Sequence, residues 1–366
     1  MRIALISCGR SDYSIYYPLM KAIQAEEMFE LNIIAFGTHV SNFYGHTIDE
    51  FYKDGFEVNY KLESLVLGDS QEAIATSMGL TTMKFAAIWA KEKYDLVMVL
   101  GDRFEMFAAI SAVVPFNIPV AHLHGGETTL GAIDDRFRHA ITAMSTYHFT
   151  STEGHRQRVI AITNDDLHVY NVGALALDNI RQMELFGKDA FLEKYQIDLN
   201  KPTYLSTYHP ETVSLDKNIA YIETLFEVFK SCSDKQIVIT MPNADTMGSQ
   251  IRKRILELSA DCTNVIPVEN LGIKGYYSCM KYSELLIGNT SSGIIEAASF
   301  GKYVINLGDR QKGREAGDNV FHTEVKYETI MDVLETISKL PLRNSYNVYG
   351  TGETTGKIIS ILKELN

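Results

Sequence analysis

Val97-Met98-Val99-Leu100-Gly101-Asp102-Arg103-Phe104-Glu105 and, further along, Ile118-Pro119-Val120-Ala121-His122-Leu123-His124-Gly125-Gly126-Glu127 share one arrangement: an apolar run stops and charged residues follow at once. Short apolar runs bounded by turn residues read as buried parallel strands. In open α/β sheets, chemistry collects just beyond the carboxyl ends of such strands. Ile133-Asp134-Asp135-Arg136 comes next, so carboxylates, a histidine pair and arginines gather after two consecutive strand ends. This grouping predicts an active site.

Outward from this segment, strands and helices alternate along nearly the whole chain. In the first half, strands are expected at Arg2–Ser7, Glu30–Phe36, Asp95–Leu100, Pro119–Leu123, Tyr147–Thr150 and Leu167–Asn171. Helices fill the gaps, among them Ile15–Ala25, Ser70–Lys93, Arg103–Val114, Ile133–Met144 and Gly154–Ile162. Between Gly173 and Lys201 the chain turns helical and polar, as a linker would, with Pro202 closing it. A second series follows, with strands at Thr203–Ser206, Gln236–Thr240, Asn264–Pro267, Glu284–Ile287 and Tyr303–Asn306. Its helices are expected near Leu215–Lys230, Gly248–Ser259, Lys274–Lys281 and Gly293–Phe300. Such alternation argues for parallel sheets. The expectation is an α/β protein with two Rossmann-like domains, 1–175 and 176–366, facing a cleft suited to a ligand. The last helix, near Thr354–Leu365, could belong to either domain.

A chain of 366 residues exceeds what one core usually serves, which agrees with two domains. Lys plus Arg is 34 against 46 Asp plus Glu, a net charge of −12. That balance argues against a nucleic-acid partner, which needs a basic face, yet leaves room for local arginines to bind an anionic small molecule. No apolar run of about 18 residues is present, so no membrane span is expected. The N-terminus turns polar too soon for a signal peptide and reads as the first strand. Cys8, Cys232, Cys262 and Cys279 have no metal-like spacing, and a cytoplasmic setting would keep them reduced.

Several further strand ends carry candidate chemistry. Ser7-Cys8-Gly9-Arg10-Ser11-Asp12 places Arg10 beside a helix N-terminus, a favourable setting for a phosphate oxygen. A turn glycine with a surface arginine explains the same residues equally well. Gly288-Asn289-Thr290-Ser291-Ser292-Gly293-Ile294-Ile295-Glu296 is more specific. Ser291, Ser292 and Gly293 can offer hydroxyls and backbone N–H groups to a diphosphate, and Glu296 can accept from ribose hydroxyls. A helix cap is the competing explanation. His209 follows a strand in Thr207-Tyr208-His209-Pro210-Glu211 and suits a general acid or a cation beside a leaving phosphate. Asn243 and Asp245, then Arg310 and Arg314, occupy two later strand ends and suit anion or sugar contacts. His122 and His124 are two apart, so on a strand they would share a face and could ligate a metal with Glu127 or Asp134. No third histidine has a helpful spacing, and no metal is expected.

Together these segments resemble the hydrolysing UDP-N-acetylglucosamine 2-epimerases of bacterial sialic-acid pathways. The likeness rests on Cys8 to Asp12, Gly101-Asp102-Arg103, His122 to Glu127, Asp134-Asp135, Arg138-His139, His209-Pro210-Glu211, Asn243 to Thr246, Gly288 to Gly293 and Gly308 to Arg314, in family order over nearly the whole chain. The resemblance implies a GT-B type pair of Rossmann-like domains with UDP held mainly by the C-terminal one. It implies elimination of UDP across C1 and C2 of UDP-N-acetylglucosamine, then hydration of 2-acetamidoglucal to N-acetylmannosamine, without nicotinamide or metal. It makes Asp102 and Asp134 catalytic carboxylates, and Arg10, His209 and the Ser291–Gly293 turn the groups facing departing UDP. Many relatives carry Glu where this chain has His124, so either His124 or Glu127 must replace that Glu; Glu127 is preferred as the extra carboxylate, with His124 a direct participant. Relatives of this kind form dimers or tetramers, so a homo-oligomer in the cytoplasm is expected.

The same chemistry on UDP-2,4-diacetamido-2,4,6-trideoxy-glucose, a legionaminic-acid precursor, is one alternative, and the non-hydrolysing 2-epimerases are another. A glycosyltransferase on the same scaffold differs in reaction class, since fold alone does not separate the two. A non-enzymatic UDP-sugar sensor fits poorly with so dense a titratable cluster.

Overall fold

The computed structural model describes all residues except 69, 131–132, 212–214, 243–246, 342–343 and 345. The chain forms two compact units. The first comprises Met1–Glu127, Asp134–Arg181 and Tyr349–Asn366, and the second comprises Thr128–Ile133 and Gln182–Val348.

The first unit holds a seven-stranded sheet in the order β3-β2-β1-β4-β5-β6-β7. Its strands are β1 (Arg2–Ser7), β2 (Glu30–Phe36), β3 (Val58–Leu62), β4 (Leu96–Leu100), β5 (Val120–Leu123), β6 (Tyr147–Thr150) and β7 (Val169–Asn171). The second unit holds six strands in the order β10-β9-β8-β11-β12-β13. They are β8 (Thr203–Thr207), β9 (Gln236–Thr240), β10 (Val265–Val268), β11 (Leu285–Gly288), β12 (Tyr303–Leu307) and β13 (Val320–Thr323). All pairings are parallel. Both sheets step outward in opposite directions from their first strand, which creates a switch point between β1 and β4 and another between β8 and β11. Those are the places where doubly wound sheets bind ligands.

Strands β3 and β13 and the helix Tyr327–Ser338 add to the elements expected from sequence. Both strands are edges, half exposed, and lack the continuous apolar run that marked the central ones. Apolar residues cover both faces of each sheet. Ile3, Leu5, Leu19, Ile33 and Met98 line one side of the first and Ala4, Ile6, Ile34, Phe85 and Val97 the other. Phe226, Phe229, Ile239 and Ile287 line one side of the second sheet, and Phe191, Leu205, Val238 and Leu286 its reverse.

Helix Arg10–Gln24 begins five residues before its expected start at Ile15. Asp12 explains this: its Oδ2 accepts the Cys8 and Gly9 N–H groups at 2.9 and 3.1 Å and closes the turn after β1. Pro18 lies inside this helix and cannot donate to the carbonyl of Ser14. The Asn179 side chain donates to that carbonyl instead, at 2.6 Å. Asp178 accepts the N–H groups of Thr354 and Thr355 at 3.0 and 2.6 Å and so caps the C-terminal helix Thr354–Leu365. That helix contributes Ile358, Ile359 and Leu362 to the first unit's core. Among the described residues, no helix is long and apolar enough to cross a membrane.

Candidate functional site

The first unit concentrates its charge at the ends of β4 and β5, around one residue to which sequence reading assigned no role. Arg138, on helix Asp134–Met144, is only 2% exposed. Its guanidinium donates to the His124 carbonyl at 2.8 Å, pairs with Asp102 Oδ2, and lies 3.6 Å from Glu127 Oε2. Burial works against its charge, but Asp102, Glu127, Asp135 and Asp134 outweigh burial and hold the guanidinium above its ordinary value. Within the cluster, Asp102 keeps its side chain 22% exposed while Glu127 is almost wholly buried. Asp134 occupies the first turn of the same helix, one turn before Arg138. A clue was present in sequence, since Asp134 and Arg138 have the i, i+4 spacing of helical ion pairs.

The two histidines do different things. His122, inside β5, donates from Nε2 to the Gly101 carbonyl at 2.8 Å and meets Thr142 Oγ1 at 3.1 Å through Nδ1. Burial pushes its pKa down to about 3, so it is a neutral brace under the Gly101–Asp102 turn. His124 lies past the strand end with φ 63°, in the left-handed region. The expectation that both rings share a strand face therefore fails, and among the described residues no cluster of three His, Cys, Asp or Glu side chains is arranged for a metal ion. His124 Nδ1 donates to Glu127 Oε1 at 2.8 Å. That bond leaves the lone pair on Nε2, toward which the Leu175 N–H points at 3.4 Å. Ser151 also donates to Glu127 Oε1, at 2.7 Å, and accepts from His155 Nδ1 at 3.1 Å. Glu127 is thus enclosed by His124, Ser151 and Arg138, in the position of a group that orients an imidazole. Gly126 makes this packing feasible: a Cβ there would sit 2.4 Å from the His155 carbonyl oxygen.

The second unit builds its strand ends from amides. His209, directly after β8, is 7% exposed. Asn289 accepts the His209 N–H at 2.7 Å and donates to the His209 carbonyl at 2.8 Å. The Asn289 carbonyl in turn accepts from Gln311 at 2.9 Å and from Arg310 at 3.4 Å. One asparagine so joins the loops after β8, β11 and β12. Gly288 permits it, because a Cβ would lie 2.1 Å from the Thr207 carbonyl oxygen. The helix expected at Gly293–Phe300 is instead Ser291–Ile295 followed by a 3-10 turn at Ala297–Phe300. Its cap is Thr290, whose hydroxyl accepts from the Ser292 N–H at 3.3 Å. Ser291 and Ser292 are half-buried at its start, whereas Gly293 is buried and makes room for Val304. Glu296 is buried at the helix end, and Arg314 is half-buried. Arg10 is exposed at the first position of its helix in the other unit. Asn243 and Asp245 lie outside the described residues.

The family model described as UDP-N-acetylglucosamine 2-epimerase matches residues 21–363. The chain belongs to that family. A Legionella pneumophila relative, named UDP-N,N'-diacetylbacillosamine 2-epimerase (hydrolyzing), is 34% identical over all of this chain and 96% of its own. Escherichia coli polysialic acid biosynthesis protein P7 is 34% identical over 90% of this chain and 84% of its own. The Neisseria meningitidis UDP-GlcNAc 2-epimerase crystal structure, bound to UDP-GlcNAc, superposes with a TM-score of 0.86 at 18% identity and full coverage of both chains. Family membership accounts for the GT-B-like pair of parallel sheets, one in each unit.

Proposed function

We propose that the chain is a hydrolysing UDP-N-acetylglucosamine 2-epimerase that releases UDP and N-acetylmannosamine, in a pathway leading to sialic acid. The observation that supports this most is the Asp102–Arg138–His124 arrangement, which presents a carboxylate and an oriented imidazole at the neighbouring ends of β4 and β5. Inversion at C2 requires a proton to leave one face of the sugar and another to arrive on the opposite face, so two proton-moving groups are needed. Asp102 and His124 fill those roles, His124 taking a proton on Nε2 once that lone pair gives up its long contact with the Leu175 N–H. Glu127 holds the His124 tautomer and stabilises the imidazolium once it forms, as the buried acid does in hydrolytic triads. This reading replaces the expectation that Glu127 itself meets the sugar.

The C2–H bond has no adjacent carbonyl to acidify it. Departure of UDP, which takes the C1–O electron pair, therefore carries much of the barrier, and stabilising the leaving diphosphate is a large contribution. His209, Arg310, Arg314 and the Ser291–Ser292 turn of the second unit serve that purpose, with Glu296 on the ribose and Arg10 as a further cation. Asp134 steadies positive charge developing at C1. Water then adds at C1 of the glucal while C2 is protonated, which yields the free sugar.

UDP-N,N'-diacetylbacillosamine is the second reading, favoured by the Legionella relative and by a Campylobacter jejuni relative, 34% identical over 88% of this chain, whose name includes that sugar. The test is UDP release from each sugar nucleotide, without acceptor or added metal. Faster release from UDP-N-acetylglucosamine supports the first reading and faster release from the diacetamido sugar the second. No release from either overturns both.

A further inference from the structure

Glu211 is two residues beyond His209 and 3% exposed, and its carboxylate is held by backbone N–H groups. Its Oε1 accepts the Asp309 N–H at 2.8 Å, and the Arg310 N–H also bonds to this carboxylate. Its own N–H donates to Asn218 Oδ1 at 2.7 Å, and Asn218 Nδ2 returns a bond to its carbonyl at 3.2 Å. Asn218 is fully buried at the start of helix Asn218–Ser231, so the carboxylate is anchored from behind. Gly308 has φ 69°, and a Cβ there would lie 2.3 Å from Glu211 Oε1; the glycine leaves the space that the carboxylate fills. Burial pushes the Glu211 carboxyl up, and the two amides oppose that shift. A buried acid that spends its charge on consecutive backbone amides fixes the path of the chain it holds.

The chain held in this way leads directly into Arg310 and Gln311, the two side chains that reach the Asn289 carbonyl. From this we infer that Glu211 is a positioning residue: through the Asp309 and Arg310 amides it sets Arg310 and Gln311 against Asn289, and so prepares the second unit to receive the diphosphate of UDP. The inference rests on the function proposed above. A short polar side chain would satisfy one amide, whereas a carboxylate satisfies both without introducing a competing donor. Asn289 grips the His209 backbone as well, so the Glu211 contact also steadies His209 indirectly.

The experiment is calorimetric titration of UDP into the wild-type protein, Glu211→Gln, Arg310→Ala and the double variant, with thermal unfolding recorded for each. Loss of one charge-assisted amide contact is expected to weaken UDP binding of Glu211→Gln about tenfold. Because part of the Glu211 effect passes through Arg310, the double variant should lose less UDP affinity than the sum of the two single losses. If the wild type binds UDP and Glu211→Gln binds it equally well, or if the two losses simply add, the positioning role is overturned. Failure of the wild type to bind UDP would instead overturn the function on which the inference rests.

Discussion

The two units repeat one strand order and use their strand ends differently. In the first, the ends of β4 and β5 gather Asp102, His124, Glu127 and Arg138 into a partly buried ionic network. In the second, the ends of β8, β11 and β12 are joined by Asn289, Gln311 and Glu211, mostly through backbone amides and carbonyls. A network of titratable groups can exchange protons. A network built mostly on backbone amides and side-chain amides, with the Glu211 carboxylate anchored at its back, holds a shape into which an anion can settle. The contrast teaches that topology supplies the location while the residues at the strand ends decide the chemistry.

Asp102→Asn attacks the first network most directly. It should lower kcat by about 10³-fold or more, the scale of losing a proton-transfer group, while UDP affinity stays within about twofold. Turnover and UDP titration on the same preparation check both halves. An equal loss of UDP affinity would erase the proposed division between the units.

Gly288→Ala attacks the second network. The added Cβ meets the Thr207 carbonyl at 2.1 Å, and φ is 151°. Destabilisation of about 3 kcal/mol is expected from overpacking plus backbone strain. Denaturant unfolding would measure it, and hydrogen exchange should place the loosening in β8 and β11 rather than in the first sheet.

Glu127→Gln sharpens the comparison inside the first unit. The amide can still hold His124 Nδ1–H but cannot stabilise an imidazolium. A fall in kcat of about 10²-fold is expected, together with a shifted pH–rate profile, since the pair acts as a unit. Unchanged kcat would remove Glu127 from the proton chemistry.

Acid separates the units by a smaller effect. Burial lowers His39 and His122 to about 3 and His148 to about 4, all in the first unit. The unfolded chain therefore binds protons that the fold refuses. Stability from these groups is complete above about pH 6.5, the ordinary histidine value, and falls as pH drops toward the folded values. In the second unit burial lowers His322 as well, but Glu211 is shifted up by burial, so its contribution runs the other way and favours the fold as pH falls. Hydrogen exchange at pH 5 and pH 7 should show the first sheet losing more protection. Equal loss in both sheets would contradict this.

The central strands, the two-sheet plan and the segments bearing Asp102, His124 and His209 were legible because buried parallel strands leave continuous apolar runs with abrupt charged ends. What stayed hidden depended on tertiary contact. Arg138 sits mid-helix; its i, i+4 spacing from Asp134 hints at an ion pair, but its burial at two strand ends depends on contacts distant in sequence. The left-handed backbone of His124 breaks the alternation that a strand pattern assumes, which is why the paired-face reading of His122 and His124 failed. Glu211 and Asn289 belong to segments the sequence singles out, but their individual roles stay hidden until their backbone partners, distant in sequence, are seen. The Thr290 cap was obscured by the serines and glycine that follow it.

The most direct test of the central claim is the proton NMR spectrum of the products formed from UDP-N-acetylglucosamine in heavy water. The account predicts UDP and free N-acetylmannosamine carrying deuterium at C2. N-acetylmannosamine that retains its C2 proton, or UDP-N-acetylmannosamine as the product, would contradict it.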